Sequence, residues 1–289
     1  MSTFIPWDSQ PLHNWAAKYA EGRFIDLDGL STHYRVKGEG DPLILIHGFF
    51  FDSHMWDASI EILSQKYTVY AIDLWGFGYS SRDPLDYGYP LYTTQLLNFM
   101  DALSIPKAHL VGQSMGGGTA INFAISQRDR VNKIVLVNAA GMPNPLPLMG
   151  RISNLSGVGE FMYGLKNDFI RRFTLGSNFL YNKDLLSNDY YHRITRFHKI
   201  QGTSNVMLTV TRNLFFDSLL NEINILGEME LPILIIWGRD EKSIDLSIGQ
   251  ELHRKLVSSQ MMVLDHAGHC SNMDQPQQFN HVVGEFLNK

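Results

Sequence analysis

The chain has 289 residues, of which 44% are hydrophobic and 18% charged, and its formal net charge is −5. This composition is typical of a globular protein with a substantial core, and it excludes a disordered chain. The net negative charge gives no electrostatic reason to expect nucleic acid as a partner. The length fits one large domain, or a core with an insertion.

The amino-terminal region shows none of the patterns that target a chain to a membrane or to secretion. The sequence contains no run of 18 or more apolar residues, so no transmembrane segment is predicted. The first residues also lack the basic start and apolar core of a secretory signal. The single cysteine, Cys270, excludes an internal disulfide and agrees with a reducing compartment. We therefore expect a soluble, cytoplasmic protein in which Trp7, Trp15 and Tyr19 cover the flank of the domain rather than a membrane surface.

Short strands alternate with helical patterns along most of the chain. Asp28 and Gly29 separate two alternating runs and predict a hairpin. Further strands are predicted at residues 43–46, 68–72, 109–111, 133–137, 233–237 and 261–264. Helices are predicted at residues 53–65, 92–103, 119–127, 246–256 and 275–287. This alternation predicts an α/β protein with a mostly parallel central sheet flanked by helices.

The alternation stops at the proline-rich stretch from Gly141 to Pro147 and resumes only after Gly227. The intervening segment is rich in aromatic residues, and its pattern is mainly helical. We therefore divide the chain into a core of residues 1–142 and 228–289 and a helical lid of residues 143–227. The lid is expected to cover the carboxyl ends of the strands, although some of its aromatic side chains are ordinary packing residues.

The stretch Gly112-Gln113-Ser114-Met115-Gly116 lies between a predicted strand and a predicted helix. The two glycines allow strand and helix to approach closely, and Ser114 is expected at the apex in a strained conformation. The first N–H groups of the helix remain unpaired near the serine oxygen. In this context the G-x-S-x-G pattern predicts a nucleophilic serine.

Partners for Ser114 are expected on loops at the same end of the sheet, where parallel strands present functional groups. His269 follows the last strand and is the candidate base, with His266 as a local competitor. Asp240 and Glu241 follow the preceding strand, and one of the two is the candidate acid that orients the imidazole. The order serine, acid, histidine is the order expected for this arrangement.

Taken together, these motifs resemble those of the α/β-hydrolase superfamily, specifically its lidded serine hydrolases. The matching stretches are Ile46–Phe49, Asp73–Ser80, Gly112–Gly117, Trp237–Glu241 and Gly268-His269. The resemblance implies that Ser114 is the nucleophile, His269 the base and Glu241, in preference to Asp240, the acid.

The same resemblance implies an oxyanion hole made by the backbone N–H groups of Phe49 and Met115. His47 and Asp73 are expected to brace loops. No metal site is indicated, because the histidines are scattered. No cofactor is indicated either, because the Gly76 and Gly78 pattern is too short for a nucleotide loop.

The resemblance and the apolar residues Phe49 to Phe51 favour a carboxylesterase or lipase-like enzyme, with a small hydrophobic ester as its partner. The main alternative is a carbon–carbon bond hydrolase of the meta-cleavage type that acts on diketo acids, for which Arg171 or Arg172 could bind a carboxylate. That family has a glycine-rich oxyanion loop and a tryptophan after the histidine, whereas Cys270 stands here. A cofactor-free perhydrolase and a non-catalytic binding module on the same fold are the remaining alternatives.

Overall fold

The computed structural model describes residues 4–146, 148–165 and 167–289, and over these ranges eight strands form a single sheet. The strands are β1 (Arg23–Leu27), β2 (Leu30–Lys37), β3 (Asp41–Ile46), β4 (Tyr67–Ile72), β5 (Ala108–Gln113), β6 (Val131–Val137), β7 (Ile233–Gly238) and β8 (Gln260–Leu264). They lie in the order β1-β2-β4-β3-β5-β6-β7-β8. Residues 1–3, Pro147 and Lys166, which fall within the predicted core and lid, lie outside the described ranges.

The sheet is mostly parallel, which confirms the predicted fold class. Only β2 pairs antiparallel, with β1 through the Asp28–Gly29 turn and with β4 on its other edge. The remaining neighbours are parallel. Strands β5 and β7 are buried along their whole length. This burial explains their continuous apolar sequence, because helices cover both faces of a parallel sheet.

Thirteen α-helices occur in the part of the chain that the structure describes. They are α1 (Leu12–Tyr19), α2 (Asp57–Leu63), α3 (Tyr89–Ala102), α4 (Met115–Ser126), α5 (Leu148–Ser153), α6 (Val158–Gly164), α7 (Phe169–Thr174), α8 (Asn188–Thr195), α9 (Thr203–Arg212), α10 (Leu220–Gly227), α11 (Leu246–Lys255), α12 (Ser271–Asp274) and α13 (Pro276–Leu287). Short 3₁₀ turns cover Ser53–Trp56, Arg128–Arg130, Lys183–Leu186 and Arg196–Lys199, and a π-helical turn covers Leu175–Phe179. None of the described helices combines the length and the apolar character needed to cross a membrane.

The segment between β6 and β7 contains helices α5 to α10, and its described residues form no strand of the sheet. Helix α10 packs against α4, so the last helix of this segment rests on the core. We keep the name lid for residues 143–227, and the division into core and lid stays a prediction.

The amino-terminal segment packs against the lid. Trp7 and Trp15 are both buried, and their indole N–H groups donate hydrogen bonds to the carbonyl oxygens of Asn167 and Arg196, each at 3.0 Å. The backbone of Gln10 forms a parallel bridge with Ile200. Trp7 and Trp15 were predicted from the sequence to cover the flank of the domain. In the structure they connect the amino-terminal segment to the lid.

Candidate active site

Ser114 lies in the sharp turn between β5 and α4 with a φ of 51° and a ψ of −117°. This conformation is strained for a residue with a side chain. A Cβ atom on Gly112 would overlap the carbonyl oxygen of Gly116, and one on Gly116 would overlap that of Ile46. The glycines are therefore required because the backbones of strand, helix and neighbouring loop touch at this turn.

Four backbone hydrogen bonds hold Ser114 in place. Its N–H donates to the carbonyl oxygen of Val137 at 2.9 Å, so the turn is tied to β6. Its own carbonyl oxygen accepts from the N–H groups of Gly117, Gly118 and Ala140, at 2.9, 3.1 and 3.0 Å. The backbone of the candidate nucleophile is therefore fixed from two elements, which is the support that a strained functional residue requires.

The imidazole of His269 contacts Glu241 directly. Nδ1 of His269 lies 2.7 Å from Oε2 of Glu241, and the carboxylate is fully buried. The N–H of Ser243 donates to the other carboxylate oxygen at 2.6 Å. Burial acts to raise the pKa of Glu241, but the charge and hydrogen bond of His269 and the backbone N–H groups outweigh it, so the pKa lies below its ordinary value.

Asp240 occupies a different position from its neighbour. Its backbone N–H donates to the carbonyl oxygen of Ala267 at 2.9 Å, and the residue is exposed. His266, the other candidate base, contacts the hydroxyl of Tyr181 at 3.1 Å. Of the candidates that the sequence left open, Glu241 and His269 are therefore the pair that the structure brings together.

The side chain of Asn138 is a part of the site that sequence reasoning missed. Its amide donates to Oε2 of Glu241 at 2.6 Å and its amide oxygen accepts from the hydroxyl of Ser271 at 2.9 Å. Asn138 directly follows β6 with a φ of 43°, in the region that asparagine tolerates better than most residues. A polar residue at the carboxyl end of a parallel strand was the available signal.

Ser114 and His269 lie at the same edge of the sheet, since the Gln113 side chain donates to the His269 carbonyl oxygen at 2.9 Å. Within the described ranges, neither Ser114 Oγ nor His269 Nε2 is hydrogen-bonded to another group. Both atoms are therefore free of other hydrogen-bond partners in the described part of the chain, as a nucleophile and its base require.

The backbone N–H groups of Phe49 and Met115 are also without a partner among the described residues. Met115 is the first residue of α4, where an N–H has no acceptor within the helix. The loop of Phe49 lies against the serine, because a Cβ atom on Gly48 would come within 3.0 Å of Ser114 Cβ. Two free donors near one serine have the composition of an oxyanion hole.

Aromatic side chains of the lid and the core cover these groups. The ring of Phe179 lies 5.4 Å from the imidazole of His269 and 5.9 Å from the ring of Phe50. The rings of Phe49 and Phe216 are 5.7 Å apart. The site is therefore enclosed by apolar surface that comes partly from the lid, and the exposed fractions of Ser114 and His269 are only 9% and 4%.

His47 and Asp73 brace the neighbouring loops. The imidazole of His47 contacts the carbonyl oxygen of Gly48 at 2.8 Å through Nδ1, and its Nε2 accepts from the N–H of Leu74 at 3.0 Å. Burial lowers the pKa of His47, which keeps the ring neutral. Asp73 accepts backbone hydrogen bonds from Ser53 and Tyr79, each at 2.8 Å.

The two lid arginines that could have bound a substrate carboxylate have their contacts elsewhere. Arg171 is buried, donates to His198 at 3.3 Å and stacks on the ring of Trp7. Arg172 donates to the carbonyl oxygen of Leu186 at 2.8 Å and to Asn188 at 2.7 Å. Over the described part of the chain, no group of three or more His, Cys, Asp or Glu residues could hold a metal ion.

Residues 41–276 match the family model of the alpha/beta hydrolase fold, so the chain belongs to that family. It is 25% identical over 278 residues to a 2-hydroxy-6-oxo-6-(2'-aminophenyl)hexa-2,4-dienoic acid hydrolase of Metapseudomonas resinovorans, covering 92% of this chain and 91% of that one. It is 27% identical to a 2-hydroxy-6-oxo-6-phenylhexa-2,4-dienoate hydrolase of Comamonas testosteroni, covering 94% and 96%.

The fold is also similar to that of a solved meta-cleavage product hydrolase from Pseudomonas fluorescens. The two chains are 29% identical with a TM-score of 0.80, over 92% of this chain and 97% of the other. The family and these relatives support hydrolase activity as the class of function.

Proposed function

We propose that the protein hydrolyses a carbon–carbon bond in diketo acids of the kind that ring cleavage produces. The observation that carries this choice is the set of similar proteins, of which several are hydrolases of such acids and match over nine-tenths of this chain. The His269–Glu241 contact and the strained Ser114 turn supply the groups that such a reaction needs. This proposal replaces ester hydrolysis as the leading interpretation of the sequence.

In the proposed reaction His269 Nε2 removes the proton from Ser114 Oγ as the oxygen adds to the ketone carbonyl. The carbonyl oxygen becomes an oxyanion, which the N–H groups of Phe49 and Met115 stabilise. Glu241 accepts from Nδ1 and stabilises the imidazolium that forms. Its lowered pKa supports this role, because the carboxylate stays ionised at neutral pH.

Collapse of this intermediate breaks the bond between the attacked carbon and its neighbouring carbon. The electron pair passes into the departing fragment as an enolate, because in the diketo tautomer of the substrate that carbon is a CH₂ group conjugated with the second ketone through a carbon–carbon double bond. The enolate takes its proton from the His269 imidazolium. Water then loses a proton to His269, adds to the acyl-Ser114 ester and releases a carboxylic acid, which restores the free hydroxyl.

Ester hydrolysis is the second candidate, and the character of the site favours it. The rings that contact the catalytic groups and the oxyanion loop belong to Phe49, Phe50, Phe179 and Phe216. A site lined by these aromatic rings suits a neutral apolar substrate better than a dicarbonyl acid. An ester would react through the same acyl-Ser114 intermediate, with an alcohol as the leaving group.

A pair of substrates with a common acyl group separates the two reactions. The two substrates are 2-hydroxy-6-oxo-6-phenylhexa-2,4-dienoate, called the phenyl diketo acid after its keto tautomer, and p-nitrophenyl benzoate. Each would leave a benzoyl group on Ser114, so deacylation would be identical. We expect a higher kcat/KM for the diketo acid. Turnover of the ester alone would overturn the proposal in favour of the second candidate, and no turnover of either would favour a non-catalytic binding role.

A further inference from the structure

The residue next to the candidate oxyanion donor is strained. Phe50 has a φ of +74°, a value that a bulky side chain rarely adopts, and its exposed fraction is 4%. Such a conformation is unfavourable and persists only where the surroundings enforce it. The groups that hold Phe50 therefore help to fix the loop that carries the Phe49 N–H one residue earlier.

The side chain that holds Phe50 is His198 of the lid. Nε2 of His198 lies 3.1 Å from the carbonyl oxygen of Phe50. The two rings also meet edge to face, with centroids 4.5 Å apart and planes at 82°. His198 therefore contacts both the backbone and the ring of the strained residue, and its exposed fraction is zero.

Arg171 and the carbonyl oxygen of Phe50 together determine which nitrogen of His198 carries the proton. Nε of Arg171 lies 3.3 Å from Nδ1 of His198. A guanidinium only donates hydrogen bonds, so Nδ1 must accept and Nε2 must carry the hydrogen that is donated to Phe50. Burial lowers the pKa of His198 well below its ordinary value, and the charge of Arg171 lowers it further, so the ring is neutral as this arrangement requires.

The amino-terminal segment holds Arg171 in turn. The guanidinium of Arg171 lies over the ring of Trp7 at 4.0 Å and over that of Tyr163 at 5.7 Å. No carboxylate within the described ranges forms an ion pair with Arg171. Aromatic faces therefore offset part of the burial of this charge, and the carboxylates of Asp168 and Asp8 stabilise it at longer range. The backbone N–H of Asp8 also donates to the carbonyl oxygen of His198 at 3.0 Å.

We propose that Trp7, Arg171 and His198 are positioning residues that hold the loop around Phe50, and with it the Phe49 N–H, in the geometry of an oxyanion hole. The proposal rests on the proposed function, in which Phe49 N–H stabilises the oxyanion formed on attack by Ser114. It makes the amino-terminal segment a component of the active site, although that segment contacts no substrate. The three residues act through Phe50.

The tautomer of His198 can be measured without any substrate. In full-length protein with ¹⁵N-labelled histidine, the imidazole shifts of His198, assigned by comparison with H198Q, should be those of the neutral ring protonated at Nε2. In Arg171→Met protein the preference for the Nε2–H form should weaken, because only the Phe50 carbonyl oxygen still favours it. A charged ring or an Nδ1–H tautomer in the wild type would overturn the proposal, whatever reaction the protein catalyses.

Kinetics of two substitutions at His198 test the effect on the site. His198→Leu removes the donor, and we expect kcat to fall about 10- to 100-fold with KM little changed, less than the loss of an oxyanion donor itself. His198→Gln keeps one N–H donor and one acceptor in reach of the same partners, so it should restore most of the activity. A rise in KM alone, or equal losses in both variants, would contradict positioning of the oxyanion loop.

A transition-state mimic provides a readout that a purely structural role would not change. An aryl trifluoromethyl ketone adds to a nucleophilic serine and forms an oxyanion, so its affinity should weaken in His198→Leu as much as kcat falls. Unchanged affinity would overturn the proposal. The failure of the proposed function is distinguishable, because in that case the wild type would not turn over the diketo acid, whereas the tautomer of His198 would still be the one stated above.

Discussion

Gln113 donates a hydrogen bond from its side-chain amide to the backbone carbonyl oxygen of His269, at 2.9 Å. The residue before the candidate nucleophile therefore holds the backbone of the candidate base. Gln113 is completely buried at the end of β5, and His269 lies in the loop after β8, three strands away in the sheet. This contact joins the two loops that carry the candidate nucleophile and the candidate base.

Replacing Gln113 by Met should lower kcat about tenfold or more. Without this hydrogen bond His269 can shift relative to Ser114, and a displacement of about an ångström between reacting groups is costly for catalysis. The matched control is Gln95→Met, since Gln95 is equally buried but donates to the Asp73 carbonyl oxygen. Both substitutions should lower the melting temperature, and only the first should reduce kcat to this extent. Equal kcat losses would show that Gln113 acts through stability alone.

Substitutions of the adjacent residues Asp240 and Glu241 test which carboxylate is the acid that pairs with His269. Glu241→Gln should reduce kcat by about 10³- to 10⁴-fold, because the amide neither keeps the neutral imidazole of His269 in the required tautomer nor stabilises the imidazolium that forms. Asp240→Asn should stay within about twofold of the wild type, because an exposed side chain without a contact to His269 contributes little. Steady-state rates of both variants on one substrate decide this, and the reverse ranking would assign the acid to Asp240.

The lowered pKa of Glu241 predicts how stability depends on pH. The ionised carboxylate is favoured in the folded state, so it contributes to the free energy of unfolding. This contribution is fully present above the ordinary glutamate pKa of 4.5 and is lost as the pH falls through the pKa of Glu241 in the folded state. We expect the free energy of unfolding of the wild type, minus that of Glu241→Gln, to decrease from about pH 5 to about pH 3. Urea titrations at each pH measure this difference, and an increase on acidification would contradict the assigned contacts.

Two glycines in helices should respond in opposite ways to the same substitution. Gly116→Ala in α4 places a methyl group onto the carbonyl oxygen of Ile46, so it should destabilise the protein and reduce activity. Gly284→Ala in α13 meets nothing within 4 Å, and it should stabilise the protein by up to about 1 kcal/mol. Thermal unfolding of both variants measures the effect. A neutral result at Gly116 would mean that the turn is less crowded than its backbone contacts indicate.

The fold was predictable from the sequence because the signals for it are local. Apolar runs such as residues 43–46 and 233–237 mark strands buried on both faces, and the glycines around Ser114 mark a turn between strand and helix. The rule that parallel strands end at one edge then led to His269 and to Glu241 or Asp240. The choice between these two neighbours depends on which side chain turns inward after β7, and periodicity does not determine this.

The supporting groups were not predictable because they depend on contacts between distant parts of the chain. Asn138 lies 103 residues from Glu241 in sequence, and Gln113 lies 156 residues from His269. His198 reaches Phe50 across 148 residues. Each contact requires the strand order or the docking of the lid, and a single sequence gives no sign of either.

The most direct test of the central claim is sustained turnover by wild type and Ser114→Ala, each assayed with the phenyl diketo acid and with p-nitrophenyl benzoate. Ser126→Ala, near the exposed end of α4, is the matched control and should behave as the wild type. We expect repeated turnover of the diketo acid by the wild type and a loss of at least about 10³-fold in Ser114→Ala. Equal rates for these two proteins would contradict the account, because Ser114 would then not be the nucleophile.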